Sequence, residues 1–194
     1  PPPAATTVVA GAAPGHASAP GAPAPAPEPE PGTFVPVTRA EPAWGDPLAP
    51  VTLVVWGDYD CPFTAKMMTT LLQLQATHGP DRLRVVWRHN PLPFHEKARP
   101  AHVAAETVLR LEGQEAFWRF HHLVMGNQRL ISLESLEGWA VDSGVDRAAF
   151  RAAMQQERFA AKVDEDLRAG KALGVNGTPS TYINGVFLGG AQPL

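Results

Sequence analysis

The segment Val51-Thr52-Leu53-Val54-Val55-Trp56 restricts the fold more than any other stretch of this chain. It is β-branched or apolar at every position, so both faces of the strand it forms must be covered. A central strand of a layered sheet meets that demand. Cys61-Pro62 follows closely, and Pro62 fits the first turn of a helix, where its missing N–H costs no hydrogen bond. Met67, Leu71 and Leu74, with Met68 and Leu72, give that helix a broad apolar face. Gly79-Pro80 ends it, and Leu83-Arg84-Val85-Val86-Trp87 forms a second strand. Strand, helix and strand at this spacing predict a right-handed βαβ unit with a parallel strand pair.

From about Glu96 to Ala172 the periodicity turns helical. Ala101, Ala105, Val108 and Leu111 form one stripe, and Phe117, Phe120, Leu123 and Val124 form another. Ser132 is placed to cap a third helix carrying Leu133, Leu136 and Ala140. Asp146 caps a fourth with Phe150 and Met154, and Phe159, Val163 and Leu167 lie on a fifth that Gly174 stops. Thr181-Tyr182-Ile183 and Val186-Phe187-Leu188 flank Asn184-Gly185, which favours a hairpin with a type I′ turn. Upstream, Phe34-Val35-Pro36-Val37 reads as a short edge strand, where a proline is tolerated. The order is βαβ, a block of helices, then ββ: an α/β domain with an all-helical insertion at about 96–172.

A chain of 194 residues holds one ordinary domain and a tail, and 44% hydrophobic content supports a core. Residues 1–32 are almost all Ala, Pro, Gly, Thr and acidic residues, with too little apolar bulk to offset ordering entropy. They read as a semi-rigid, extended tether ahead of a domain at 33–194. A proline ligand for an SH3-like partner is the weaker alternative, because no basic residue sets an orientation. Such a tether suits a domain held away from a membrane or another domain, and points outside the cytoplasm. The chain begins at Pro1 with no charged segment followed by an apolar one, so a signal peptide removed, or a fragment, is expected. Net charge is −3, and the basic residues are scattered, which argues against a nucleic-acid or anionic-membrane partner. No apolar run approaches the ~20 residues a membrane-spanning helix needs.

One cysteine excludes an internal disulfide framework and a cysteine-based zinc site, and leaves the compartment open. Cys61 sits after a buried strand and at the start of a helix. Unpaired helix N–H groups and the positive end of the dipole there favour thiolate over thiol. The competing reading is a small core hydrophobe, the common fate of a lone cysteine. The strand-to-helix position beside Pro62 favours an accessible, reactive sulfur.

Gly57-Asp58-Tyr59-Asp60-Cys61-Pro62-Phe63 resembles the active-site segment of DsbA-like thioredoxin-fold proteins. Asn90-Pro91-Leu92-Pro93-Phe94-His95 is similar to that family's segment before its helical insertion. Gly174 to Gly185, containing Gly177-Thr178-Pro179-Ser180, is similar to its cis-proline loop and hairpin. These three segments, in order, extend the resemblance from about Phe34 to the C-terminus. The resemblance implies the thioredoxin fold and a thiol–disulfide oxidoreductase acting on protein thiols or disulfides, without cofactor or metal, in the bacterial periplasm or tethered to a membrane. It implies Cys61 as nucleophile and a cis Thr178-Pro179 bond beside its sulfur. Pro62, Phe63, Thr178 and Pro179 would then form the substrate platform, with the Thr178 backbone open to strand addition. On the residues alone, an ordinary trans turn before the hairpin stands first.

The chain departs from the family twice. Thr64 stands where a second cysteine is usual, one helical turn from Cys61 and on the same face. Its hydroxyl can donate to a thiolate but cannot close a disulfide, so an external thiol or redox partner must resolve any mixed disulfide. The family's helix after the hairpin is also missing, because the chain stops at Gly189-Gly190-Ala191-Gln192-Pro193-Leu194, and truncation is the expectation. Asp58 and Asp60 read as solvated loop acids. His89, His95 and His102 read as surface or satisfied residues, with His95 the one able to lie near the site. His121 and His122 point in different directions. Monothiol exchange through Cys61 leads; a redox-degenerate peptide- or partner-binding module and, more weakly, a cysteine hydrolase are the alternatives.

Overall fold

The computed structural model describes residues 32–193, so the expected tether lies outside it except for Gly32. Five strands form one sheet: β1 (Ala43–Trp44), β2 (Val51–Gly57), β3 (Leu83–His89), β4 (Ser180–Ile183) and β5 (Val186–Gly189). Their order is β1-β3-β2-β4-β5. β2 and β3 are parallel, as a helical crossover requires, and the other pairs are antiparallel. The helices are α1 (Pro62–His78), α2 (Ala98–Gly126), α3 (Leu133–Asp142), α4 (Arg147–Gln155) and α5 (Ala160–Ala172), with a short 3-10 turn at Gln128–Leu130.

Alternation along β2 explains its double-sided apolar character. Leu53 and Val55 face α1 and the helical insertion, in a core with Met67, Leu71, Val85, Phe117 and Phe120. Val54 and Trp56 face the other way, with Val86, Val175 and Tyr182. That second face is covered partly by α5, where Trp56 Nε1 donates to the Asp166 carbonyl at 3.1 Å. Arg88 crosses the same side, pairing with Asp166 at 2.8 Å and Glu41 at 3.0 Å.

Several local expectations hold. Ser132 Oγ accepts from Ser135 N and Asp146 Oδ1 accepts from Ala149 N, so both caps form. Asn184 and Gly185 have φ of 47° and 85°, the positive pair that a type I′ turn needs. The two stripes expected at 98–126 belong to one long helical run, broken at Gly113, where φ is 80° and ψ is −167°.

Phe34-Val35-Pro36-Val37 is not a strand; the sheet edge is Ala43–Trp44, paired with Val86 and Val85. Pro36 has no N–H to offer a ladder, and its carbonyl is taken by Arg88 Nη2 at 2.7 Å. Val35 and Val37 instead pack on the second core.

Candidate active site around Cys61

Cys61 is the N-cap of α1, with extended φ and ψ of −88° and 120°, and Pro62 opens the first turn. Its N–H donates to the Asp58 carbonyl at 3.2 Å, closing a tight turn at the end of β2. Its carbonyl accepts from Ala65 N at 3.2 Å and from Gln128 Nε2 at 3.0 Å. The same Gln128 amide donates to the Tyr59 carbonyl at 2.9 Å, so one side chain from beyond α2 clamps the turn.

The sulfur is hydrogen-bonded to the Thr178 carbonyl at 3.4 Å. The Thr178–Pro179 peptide bond is cis. The N–H groups of Asn176, Gly177 and Thr178 make no hydrogen bond among the described residues, and Thr178 Oγ1 is buried without a partner. The antiparallel register Trp56↔Ser180 brings this loop to the end of β2. Cys61 is only 3% exposed, which corrects the expectation of an open thiol. The helix terminus does lie at the surface, but Gln128 and the Thr178–Pro179 loop close over the cysteine from two distant parts of the chain.

The other residues of the segment divide. Pro62 and Phe63 are exposed, Phe63 at 63%, on the outside of the first turn of α1. Thr64 is fully buried, and its Oγ1 accepts from Asp58 N at 3.3 Å. No hydrogen bond joins Thr64 to the Cys61 sulfur among the described residues. Accepting the Asp58 amide leaves the Thr64 hydroxyl its own proton to donate.

Asp58 corrects the reading of a solvated acid. It is fully buried, and its carboxylate accepts from Asp60 N at 2.8 Å, Leu92 N at 2.9 Å and His95 Nδ1 at 2.7 Å. These bonds tie the cysteine turn to the segment after β3. His95 is thus linked through Asp58 to the backbone of the cysteine turn, not to the sulfur.

Beneath the turn runs a buried polar chain that the sequence did not reveal. Tyr59 N donates to His102 Nε2 at 3.3 Å, His102 Nδ1 meets His89 Nδ1 at 2.9 Å, and His89 Nε2 meets Glu106 Oε2 at 3.2 Å. A backbone N–H can only donate, so His102 Nε2 accepts and its Nδ1 carries the proton. His89 Nδ1 then accepts, which leaves its Nε2 N–H for Glu106. Arg110 completes the chain, with Nε 2.6 Å from Glu106 Oε1. His121 follows the same logic: Met68 sulfur, 3.4 Å from Nε2, only accepts, so Nδ1 receives the Tyr59 hydroxyl at 2.9 Å. Burial holds His102 and His121 well below the usual histidine pKa, and raises that of Tyr59. His89, His102 and His121 are fully buried, each hydrogen-bonded. Their partners lie on β3, on α1, on α2 and in the cysteine turn, and no local pattern announces them. Among the described residues no three His, Cys, Asp or Glu side chains are grouped to hold a metal ion.

A family model described as thioredoxin matches residues 38–194. The Na(+)/H(+) antiporter NhaA 1 of Salinispora arenicola (strain CNS-205) is 33% identical over 137 residues, which is 71% of this chain and 20% of the antiporter. The chain spans about a fifth of the length of the curated relatives it matches. Among solved structures, oxidised BdbD from Bacillus subtilis superposes with a TM-score of 0.72 at 23% identity, covering 84% of this chain and 90% of BdbD. A thioredoxin-like oxidoreductase from Silicibacter pomeroyi DSS-3 gives 0.68 at 26% identity, covering 79% and 85%. With its sheet order, its helical insertion and the residues matched, the chain belongs to the thioredoxin family and has the fold of the DsbA-like thiol–disulfide oxidoreductases.

Proposed function

We propose that this protein performs thiol–disulfide exchange on protein substrates with Cys61 as its single nucleophile. The observation that carries the reading is the 3.4 Å contact between the Cys61 sulfur and the Thr178 carbonyl. It sets a thiol at a helix N-terminus beside a loop in which the Asn176, Gly177 and Thr178 N–H groups have no partner among the described residues. An extended client segment pairs with that loop by strand addition, over the exposed Pro62 and Phe63 and beside Pro179.

In the exchange, the Cys61 thiolate attacks one sulfur of a client disulfide. The new S–S bond forms as the old one breaks, and the other client sulfur leaves as a thiolate that takes up a proton. A second thiol from outside the chain then attacks the mixed disulfide and releases Cys61. Thr64, which holds the Asp58 amide, keeps a hydroxyl hydrogen that can turn toward the thiolate as it forms. The chemistry fits a place outside the cytoplasm, where client disulfides persist.

The test is trapping. The full chain mixed with a disulfide-bonded client, quenched by alkylation and run without reductant, should show a 1:1 adduct that a small thiol releases. Cys61→Ser should show none. No adduct from the unaltered chain with any disulfide would overturn the reading. The 3% exposure of Cys61 favours a second reading, a peptide-binding module in which the thiol is incidental. Equal client affinity for the unaltered chain and Cys61→Ser, with no adduct, would establish it.

A further inference from the structure

Next to the Thr178 loop lies a cleft of about 400 Å³ that neither the thiol nor the buried polar chain uses. The segment after β3 forms one wall, and α5 with the chain leading to the cis bond forms the other. Leu92, Leu167 and Val175 make it apolar, while Arg168 and Lys171 from α5 line it and are exposed. Asn90, only 7% exposed, also lines it, and its side-chain amide has no hydrogen-bond partner among the described residues. An amide that opens on the cleft without a protein partner can donate to a ligand there.

Neither Arg168 nor Lys171 forms an ion pair among the described residues. Asp164, the acid that senses Arg168, is held by both Arg99 nitrogens at 2.7 and 3.2 Å. In a chain of net charge −3, this cationic pair on an apolar wall stands out.

We infer that the cleft recognises an acidic residue in the client segment that reacts at Cys61, so that the protein selects acidic-apolar client sequences. The inference rests on the exchange reading above. Asn176, which also lines the cleft, is two residues from Thr178, roughly 7 Å of extended chain. A client strand paired with Thr178 and running on past Asn176 therefore brings its next side chains over the cleft. A glutamate there lays its stem on Leu92, Leu167 and Val175. Its carboxylate meets the Asn90 amide and the Arg168 and Lys171 cations.

The experiment uses two synthetic peptides, each with one cysteine capped as a thiopyridyl mixed disulfide. One carries glutamates just beyond the cysteine and the other carries lysines. Thiopyridone release by the full chain should be about fivefold faster with the acidic peptide at low salt. The difference should shrink at about 0.5 M salt, where screening acts within a few ångströms. The double variant Arg168→Glu with Lys171→Glu should reverse the preference. Equal rates for both peptides, or a preference that survives the double variant, would overturn the inference. Dithiodipyridine, a neutral disulfide, separates the two levels. If it fails to modify Cys61, the exchange reading fails. The cleft is then read from cysteine-free versions of the peptides binding to Cys61→Ser, where the acidic peptide must still bind tighter.

Discussion

The thiol of Cys61 and the carbonyl of Thr178 are 3.4 Å apart although 117 positions separate them in the chain. Two local devices meet there. Pro62 starts a helix directly after a buried strand, so the sulfur stands at its N-terminus. The antiparallel pairing of β4 with β2 then delivers the loop before β4 to the same end of the sheet. The Cys61 sulfur and the Thr178 backbone are juxtaposed by sheet register, with the whole helical insertion lying between them in the chain.

Thr64→Cys should convert the site from one thiol to two. Thr64 is fully buried on the face of α1 shared with Cys61, so the new thiol resolves the mixed disulfide within the chain. Turnover in an insulin-reduction assay should rise by roughly 100-fold, the scale of gain that linking two reactants provides. No gain would mean that the cleft and loop serve binding.

Gln128→Ala should open the cysteine. Its amide holds both the Tyr59 and Cys61 carbonyls, at 2.9 and 3.0 Å, and no other side chain among the described residues does so. Losing two hydrogen bonds of about 1 kcal/mol each should raise the rate of Cys61 alkylation up to about thirtyfold. An unchanged alkylation rate would assign the burial of Cys61 to the Thr178 loop alone.

Acid should unfold this protein through its buried histidines. Burial lowers the pKa of His102 and His121 in the folded state below their ordinary value of about 6.5. Above about pH 7 both folded and unfolded rings are neutral, and stability is fully present. As pH falls through about 6.5 the unfolded chain binds protons that the folded chain refuses. Stability then drops by up to about 1.4 kcal/mol per pH unit for each ring. Urea unfolding at a series of pH values should show the slope. His102→Gln keeps an acceptor for the Tyr59 amide and should remove about one ring's share. An unchanged slope would exclude His102 as a source.

Gly170→Ala should destabilise, against the ordinary rule. In a helix interior that change gains about 1 kcal/mol. Here a Cβ would lie 2.8 Å from Trp56 Nε1 and 2.9 Å from Cδ1, on a ring that is fully buried and bonded to the Asp166 carbonyl. Overpacking of this kind costs about 1–3 kcal/mol, so the net result is a loss, read as a lower urea midpoint. A raised midpoint would show that α5 can shift away from Trp56.

What the chain determines by itself is local. Val51 to Trp56 specifies a strand buried on both faces, Pro62 a helix start, Ser132 and Asp146 their caps, and Asn184-Gly185 its turn. In each, the residues that decide the conformation are neighbours in sequence. The helix start at Cys61-Pro62 was legible for that reason, and the cis Thr178–Pro179 bond through resemblance to a family. Tertiary structure decided the rest. It moved the sheet edge from Phe34-Val37 to Ala43–Trp44, because Pro36 offers no N–H and Arg88 takes its carbonyl. It buried Cys61 under Gln128 and the Thr178 loop, turned Asp58 from a solvated acid into the anchor of Leu92 and His95, and threaded His102, His89 and Glu106 beneath Tyr59. Burial and hydrogen-bond partners are properties of surfaces that meet only when β2, β3, α2 and β4 assemble. No pattern within one segment encodes what another segment will press against it.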